Sequence, residues 1–232
     1  MIFRQWYDAE SSTLTYLLAD EQTRRAVLVD AVREQVERDL AQLRELELEL
    51  AYVLDTHTHA DHVTAAGILR ARTGAKTVAG RTAAPCADVH VADRTVLQVG
   101  SLELIALATP GHTDDSVSYL VGDRVFTGDA LLIRAAGRTD FQSGDAGQLY
   151  DSITQKLFAL PDATLVFPAH DYRGLTVSTI GEERRFNARV AGRTREDFIK
   201  IMENLNLPKP RMLDQAVPAN RACGVEPKVV LR

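Results

Sequence analysis

The run His57-Thr58-His59-Ala60-Asp61-His62 packs four metal-capable side chains into six residues, directly after the apolar stretch Ala51-Tyr52-Val53-Leu54. Histidine and aspartate are common ligands for zinc and iron. In an extended segment, residues 57 and 59 face the same side. A turn into a helix at Asp61 would aim Asp61 and His62 from a second direction, so one short segment could serve two neighbouring metal positions. Three of the six histidines of the chain lie here. The fold must therefore bring a strand end, and the groups that complete a metal site, to one place.

The rest of the chain supplies candidates. His112 lies in Thr109-Pro110-Gly111-His112-Thr113, Asp129 follows Phe126-Thr127-Gly128, and His170 follows Val166-Phe167-Pro168-Ala169. Each sits where a loop would leave a strand, and Pro-Gly marks a turn. Taken alone, His170 reads as a core or surface histidine and Asp129 as a turn residue. The dense run at 57–62 gives them weight as ligands. His90 carries no such argument.

The chain has 232 residues, enough for one sizeable core. The expectation is a single domain over 1–232 with a short extended C-terminal tail from about 206, set by Pro208, Pro210 and Pro218. The net charge of −5 argues against a nucleic-acid partner. No apolar run is long enough to span a membrane, and no export signal is visible, so cytoplasm is the expected location. Two cysteines, Cys86 and Cys223, make no disulfide framework; the expectation is a reducing compartment and two small buried side chains.

Short β-branched and aliphatic runs predict strands over 1–7, 13–18, 26–29, 51–54, 76–79, 95–99, 102–107, 117–121, 124–126 and 164–167. Val32, Val36, Leu40, Leu43, Leu46 and Leu50 recur as one helical face. Further helices are expected from near Asp61 to Gly74, between Ala146 and Leu160, over 182–189 and over 194–205. The order βββαβαβββββαβα suggests two sheets face to face with helices outside, an α+β arrangement.

The set His57-x-His59-x-Asp61-His62, His112, Asp129 and His170 resembles the metallo-β-lactamase superfamily. That resemblance implies an αββα sandwich with a metal site at one edge. Further stretches resemble one branch, the persulfide dioxygenases. They include Gly128-Asp129-Ala130-Leu131-Leu132-Ile133-Arg134, Gly137-Arg138-Thr139-Asp140-Phe141-Gln142, Pro168-Ala169-His170-Asp171-Tyr172, Asn204-Leu205-Asn206-Leu207-Pro208-Lys209-Pro210 and Ala216-Val217-Pro218-Ala219-Asn220. The likeness runs from about Phe3 to Gly224. Ala135-Ala136-Gly137 stands where that family commonly has Gly-Cys-Gly.

The resemblance implies one Fe(II) per chain, held by His57, His112 and Asp129. It implies oxidation of glutathione persulfide with O2 to sulfite and glutathione, in sulfide detoxification. Two imidazoles and one carboxylate leave coordination positions open, as oxygenation needs. His59, Asp61, His62 and His170 would then orient ligands, or bind a second metal as in two-metal hydrolases. His170, Arg138 and Tyr172 are the catalytic candidates. Arg138 would grip a substrate carboxylate or pair with Asp140, the two weighing about equally, and Tyr172 would hydrogen-bond substrate or ligand. Thr113 would orient His112. A homodimer would suit the family, with a persulfide-producing sulfurtransferase or quinone oxidoreductase as pathway neighbour. The rival reading is a two-zinc glutathione thioester hydrolase of the glyoxalase II type. Its helical C-terminal domain has little room in the 62 residues after His170 (232 − 170).

Overall fold

The computed structural model describes residues 1–225, and two six-stranded sheets dominate it. The first contains β1 (Ile2–Asp8), β2 (Thr13–Ala19), β3 (Arg25–Val29), β4 (Glu49–Leu54), β5 (Lys76–Gly80) and β6 (Val89–Val91), in that spatial order. The second contains β7 (Val96–Val99), β8 (Leu102–Ala108), β9 (Val117–Val121), β10 (Arg124–Gly128), β11 (Leu165–Pro168) and β12 (Ser178–Thr179), also in sequence order across the sheet.

The alternation along each strand explains the layers. In β2, Leu14, Tyr16 and Leu18 enter the core between the sheets, where Tyr119, Phe126 and Phe167 meet them. Leu17 and Ala19 point the other way, onto the helices. Every residue of β2 is buried as a result. Helices α1 (Val36–Glu45) and α2 (Ala66–Thr73) cover the first sheet through Leu40, Leu43 and Leu69. On the second sheet, α3 (Ala146–Asp151), running on through a π-type turn at Ser152–Leu157, packs with α5 (Arg195–Glu203) through Leu149, Ile153 and Phe198. Helix α4 (Ile180–Phe186) follows β12 directly. The expected αββα sandwich is the observed architecture.

Four expectations need correction. The first helix is shorter than its apolar repeat: Glu47 takes a left-handed φ of 51°, and Leu50 leaves to pair with Ala26. Helix α2 starts at Ala66, not near Asp61, because backbone groups of 59–64 are taken by Asn220. The C-terminal segment is not wholly extended: Leu213–Asn220 forms α6, with Pro218 inside. Proline there removes one N–H from a short helix, and the Asn220 side chain anchors its end. The cysteines are not separate thiols. Cys86 and Cys223 form a disulfide, Cα atoms 5.9 Å apart across 137 residues of sequence. Nothing in the sequence signals this bond, since pairing two distant cysteines needs the fold. Strand β6, with exposed His90, and two-residue β12 are too short to show in the sequence.

Candidate metal centre

One sheet edge gathers the candidate ligands. Strands β10 and β11 are parallel, and β8 points the same way because β9 is antiparallel to both of its neighbours. The C-terminal ends of β8, β10 and β11 therefore lie together and deliver His112, Asp129 and His170. Strand β4 delivers His57 from the facing sheet, and a hydrogen bond from Val117 N to Thr56 O (2.8 Å) joins the two at that point.

The side chains form two groups, each with ligand atoms within 4.8 Å of one another: His57, His112 and Asp129, and His59, Asp61, His62 and His170. A third cluster joins Asp30 and Asp55 to His59.

In the first group the outward-facing atoms are already engaged. Thr56 Oγ1 donates to Asp30 Oδ2 (2.9 Å), so its lone pair is left to accept from His57 Nδ1 (3.0 Å). His57 Nε2 is then the lone-pair nitrogen. His112 Nδ1 donates to the carbonyl of Arg138 (2.6 Å), which fixes its Nε2 the same way, 3.6 Å from Asp129 Oδ2. Asp129 Oδ1 accepts from His170 Nδ1 (2.7 Å). Each group thus turns a free donor atom toward its partners while an outer contact locks its orientation, the arrangement metal ligands require. Burial, with His59 and His112 close by, drives His57 well below its ordinary pKa and keeps it neutral. Burial alone would raise Asp129, but His170 beside it overrides this and holds the carboxyl well below its usual range.

The second group is built differently. His170 lies between two carboxylates, with Nε2 on Asp61 (2.8 Å) and Nδ1 on Asp129. Burial opposes its charge, yet the two acids push its pKa well above the ordinary value. Asp61 Oδ2 also accepts from His62 Nδ1 (2.9 Å) and Thr13 Oγ1 (3.2 Å). Burial would raise its pKa, and the neighbouring His170 and His62 hold it well below. His59 Nε2 donates to Asp30 Oδ1 (3.1 Å); despite the penalty of burial, Asp30 lifts the pKa of His59 to about 9. Two buried atoms here, His59 Nδ1 and His62 Nε2, find no hydrogen-bond partner.

Two glycines are needed for this closeness. Gly128 has φ 54°, and a Cβ there would sit 2.6 Å from Thr56 Oγ1. A Cβ on Gly137 would meet Asp129 O at 2.3 Å and His112 Nδ1 at 2.8 Å. Ala136, next to it, is buried in the core of the second sheet, so no thiol stands beside the site at that position.

The chain matches the Metallo-beta-lactamase superfamily over residues 9–86 and 82–170. It is 48% identical to human "Persulfide dioxygenase ETHE1, mitochondrial" over 229 residues, covering 97% of this chain and 90% of that one. The mouse protein of the same name matches equally. The crystal structure of ETHE1 from Myxococcus xanthus superposes with a TM-score of 0.96 at 64% identity, covering 97% of this chain and all of that one. The chain belongs to the persulfide dioxygenase family.

Among the residues singled out from the sequence, this persulfide dioxygenase family member brings His57, His112 and Asp129 into one group and His59, Asp61, His62 and His170 into the adjoining one. Arg138 enters the site through its carbonyl. Its guanidinium forms a two-pronged pair with Asp140, both bonds 2.7 Å, and donates to Pro208 O (2.6 Å). Tyr172 is 72% exposed and lies parallel to the His170 ring, with centroids 6.2 Å apart. Thr113 does not orient His112: its hydroxyl contacts Asp115 and Ser116, shaping the turn. Asp30, Thr56, Thr13 and Asn220 escaped sequence reasoning. Asp30 follows a strand with no neighbouring ligand motif, and Asn220 lies 161 residues from the His59 carbonyl it binds. No helix among the described residues is long and apolar enough to cross a membrane.

Proposed function

We propose that this persulfide dioxygenase oxidises glutathione persulfide with O2 to sulfite and glutathione, using one Fe(II) per chain held by His57, His112 and Asp129. The observation that carries the reading is the set of outer contacts. Thr56, Arg138 O and His170 each fix one ligand so that its remaining donor atom faces the other two. A site of two imidazoles and one carboxylate suits ferrous iron with open positions. The formal charge left is +1, which a persulfide anion would offset. Bound there, the iron would supply redox chemistry that brings O2 and sulfane sulfur to one centre.

The remaining steps fall to the chain. His170, charged between Asp129 and Asp61, keeps Asp129 ionised and oriented. Tyr172 stands exposed on the His170 face, where its hydroxyl could meet substrate. Arg138 would take a substrate carboxylate by exchanging it for Asp140, since a guanidinium fork accepts either acid.

The two-zinc thioester hydrolase keeps one specific argument, the partnerless His59 Nδ1 and His62 Nε2. Against it, His170 has both ring nitrogens on carboxylates. Metal analysis of anaerobically purified protein, with an oxygen-electrode assay on glutathione persulfide and an S-lactoylglutathione hydrolysis assay, separates the two. One iron per chain and persulfide-dependent O2 uptake are expected. Two zinc ions with thioester hydrolysis and no O2 uptake would overturn the proposal. We place the protein in the cytoplasm as a homodimer, downstream of a reaction that makes the persulfide; sizing chromatography tests the assembly.

A further inference from the structure

The disulfide joins two segments that meet beside the metal-binding loop. Cys86 lies in the loop between β5 and β6, and Cys223 in the turn after α6. The last residue of α6 and that turn rest together on residues 59–67. Asn220 Nδ2 donates to His59 O and His62 O (2.9 Å each), and its Oδ1 accepts from Thr64 N (2.8 Å). Cys223 O accepts from Gly67 N (2.8 Å). A Cβ on Gly67 would come within 2.6 Å of Cys223 O, and one on Gly224 within 2.0 Å of Thr64 O. The bond therefore tethers the turn that clamps the backbone of His59 and His62.

The two cysteines are not equally exposed. Cys223 is 4% exposed, whereas Cys86 is half-buried on a loop whose neighbours Pro85 and Ala84 open onto a cavity of about 450 Å³. Arg221, two residues before Cys223, lines the same cavity, together with Asp114 and with Asp115, whose carboxylate is already taken by Thr58 and Thr113. A cavity of this size accommodates a small molecule. Its charges suit a small zwitterion, with a carboxylate at Arg221 and an ammonium at Asp114.

We propose that Cys86–Cys223 is a thiol-exchange site, at which a small zwitterionic thiol enters from this cavity and becomes covalently attached to Cys86. The incoming thiolate attacks Cys86 Sγ and forms a new S–S bond. The Cys86–Cys223 bond breaks, its electron pair leaves on Cys223 sulfur, and that thiolate takes a proton from solvent. A second thiolate can then attack the attached thiol's sulfur, leaving two cysteine thiols and the small thiol as its disulfide. Buried Cys223 is then a small apolar side chain. The turn keeps its hydrogen bonds to 59–67 but loses its covalent tether, so the clamp on the His59 and His62 carbonyls opens more often. None of this depends on which metal the site holds.

The test uses full-length protein purified without reductant, with glutathione as the probe and peptide mass spectrometry after an acid quench. The expected result is one glutathionyl group on Cys86, with Cys223 alkylated only after unfolding. Hydrogen exchange should rise at the amides of Thr64 and Gly67, with core strands unchanged. Cys86→Ser should show the same raised exchange without any thiol. Arg221→Ala should slow attachment about tenfold for glutathione, the loss of one charge-assisted hydrogen bond, and leave uncharged 2-mercaptoethanol unaffected. Attachment at Cys223, free thiols in the untreated protein, or a bond that glutathione opens only after unfolding would each overturn the exchange site. Equal slowing for both thiols in Arg221→Ala would overturn the assignment of the cavity. Unchanged exchange at Thr64 and Gly67 in Cys86→Ser would overturn the tether.

Discussion

A chain of single contacts fixes His57: the Asp30 carboxylate accepts from Thr56, and Thr56 accepts from His57 Nδ1. Asp30 also receives the Thr56 N–H (2.7 Å) and His59 Nε2. Removing the hydroxyl while keeping the shape isolates this function. Thr56→Val should fold and weaken metal binding about 10- to 100-fold, the usual cost of losing an outer contact to a ligand. Metal titration alongside thermal unfolding checks this, and an unchanged metal affinity would show that Thr56 does not orient His57. The candidate ligands were legible because four metal-capable side chains crowd six residues. The relay behind them was not, because Asp30 and Thr56 are ordinary residue types that acquire a role only when β3 and β4 lie side by side.

Two elements carry polar groups that their own pattern would not place there. Asp39 lies on the inner side of α1, fully buried, with Oδ1 on Arg38 and Oδ2 without a partner. Burial raises its pKa from 3.8 to about 6, against the pull of Arg38. A raised carboxyl pKa favours the folded state only while the group is protonated there. The penalty is absent below pH 3.8, grows between 3.8 and about 6, and is complete above that, at about 3 kcal/mol. Asp39→Asn should therefore be more stable at pH 8, by about 1–3 kcal/mol, with the gain vanishing near pH 4. Urea titrations at the two pH values measure it, and a pH-independent difference would contradict this account. At the end of α6, Asn220 makes three buried hydrogen bonds to the 59–64 backbone. Asn220→Ala leaves those groups unpaired, at about 1–3 kcal/mol for each buried group stranded. Loss of stability and of metal affinity together is expected, read by unfolding and metal titration on one preparation.

Across the whole molecule, the disulfide closes a loop of 137 residues between the first sheet's connections and the C-terminal turn. Loop closure of that length removes unfolded-state entropy worth up to about 5 kcal/mol. Reduced protein should unfold at distinctly lower urea than oxidised protein, with the folded far-UV spectrum unchanged. Equal midpoints would mean that the bond adds nothing to global stability. The sandwich itself rests on three apolar layers rather than one. Strands buried on both faces, such as β2, tie the inter-sheet core to the helices outside, so the ligand-bearing strand ends share one rigid frame.

Local pattern was enough to read the layers and the candidate ligand set. Apolar alternation is a local property, and so is a histidine run at a strand end; both survive without knowledge of the fold. Even the clustering of His112, Asp129 and His170 was legible, because turn signals mark where strands stop. It took the folded chain to show which donor atoms face inward, that Arg138 is held by Asp140, that 59–65 is not helical, and that Cys86 meets Cys223. Apart from the local Arg138–Asp140 pair, these depend on groups far apart in the chain, and their pairing is set by packing of the two sheets and by the path of α6, which no local pattern encodes.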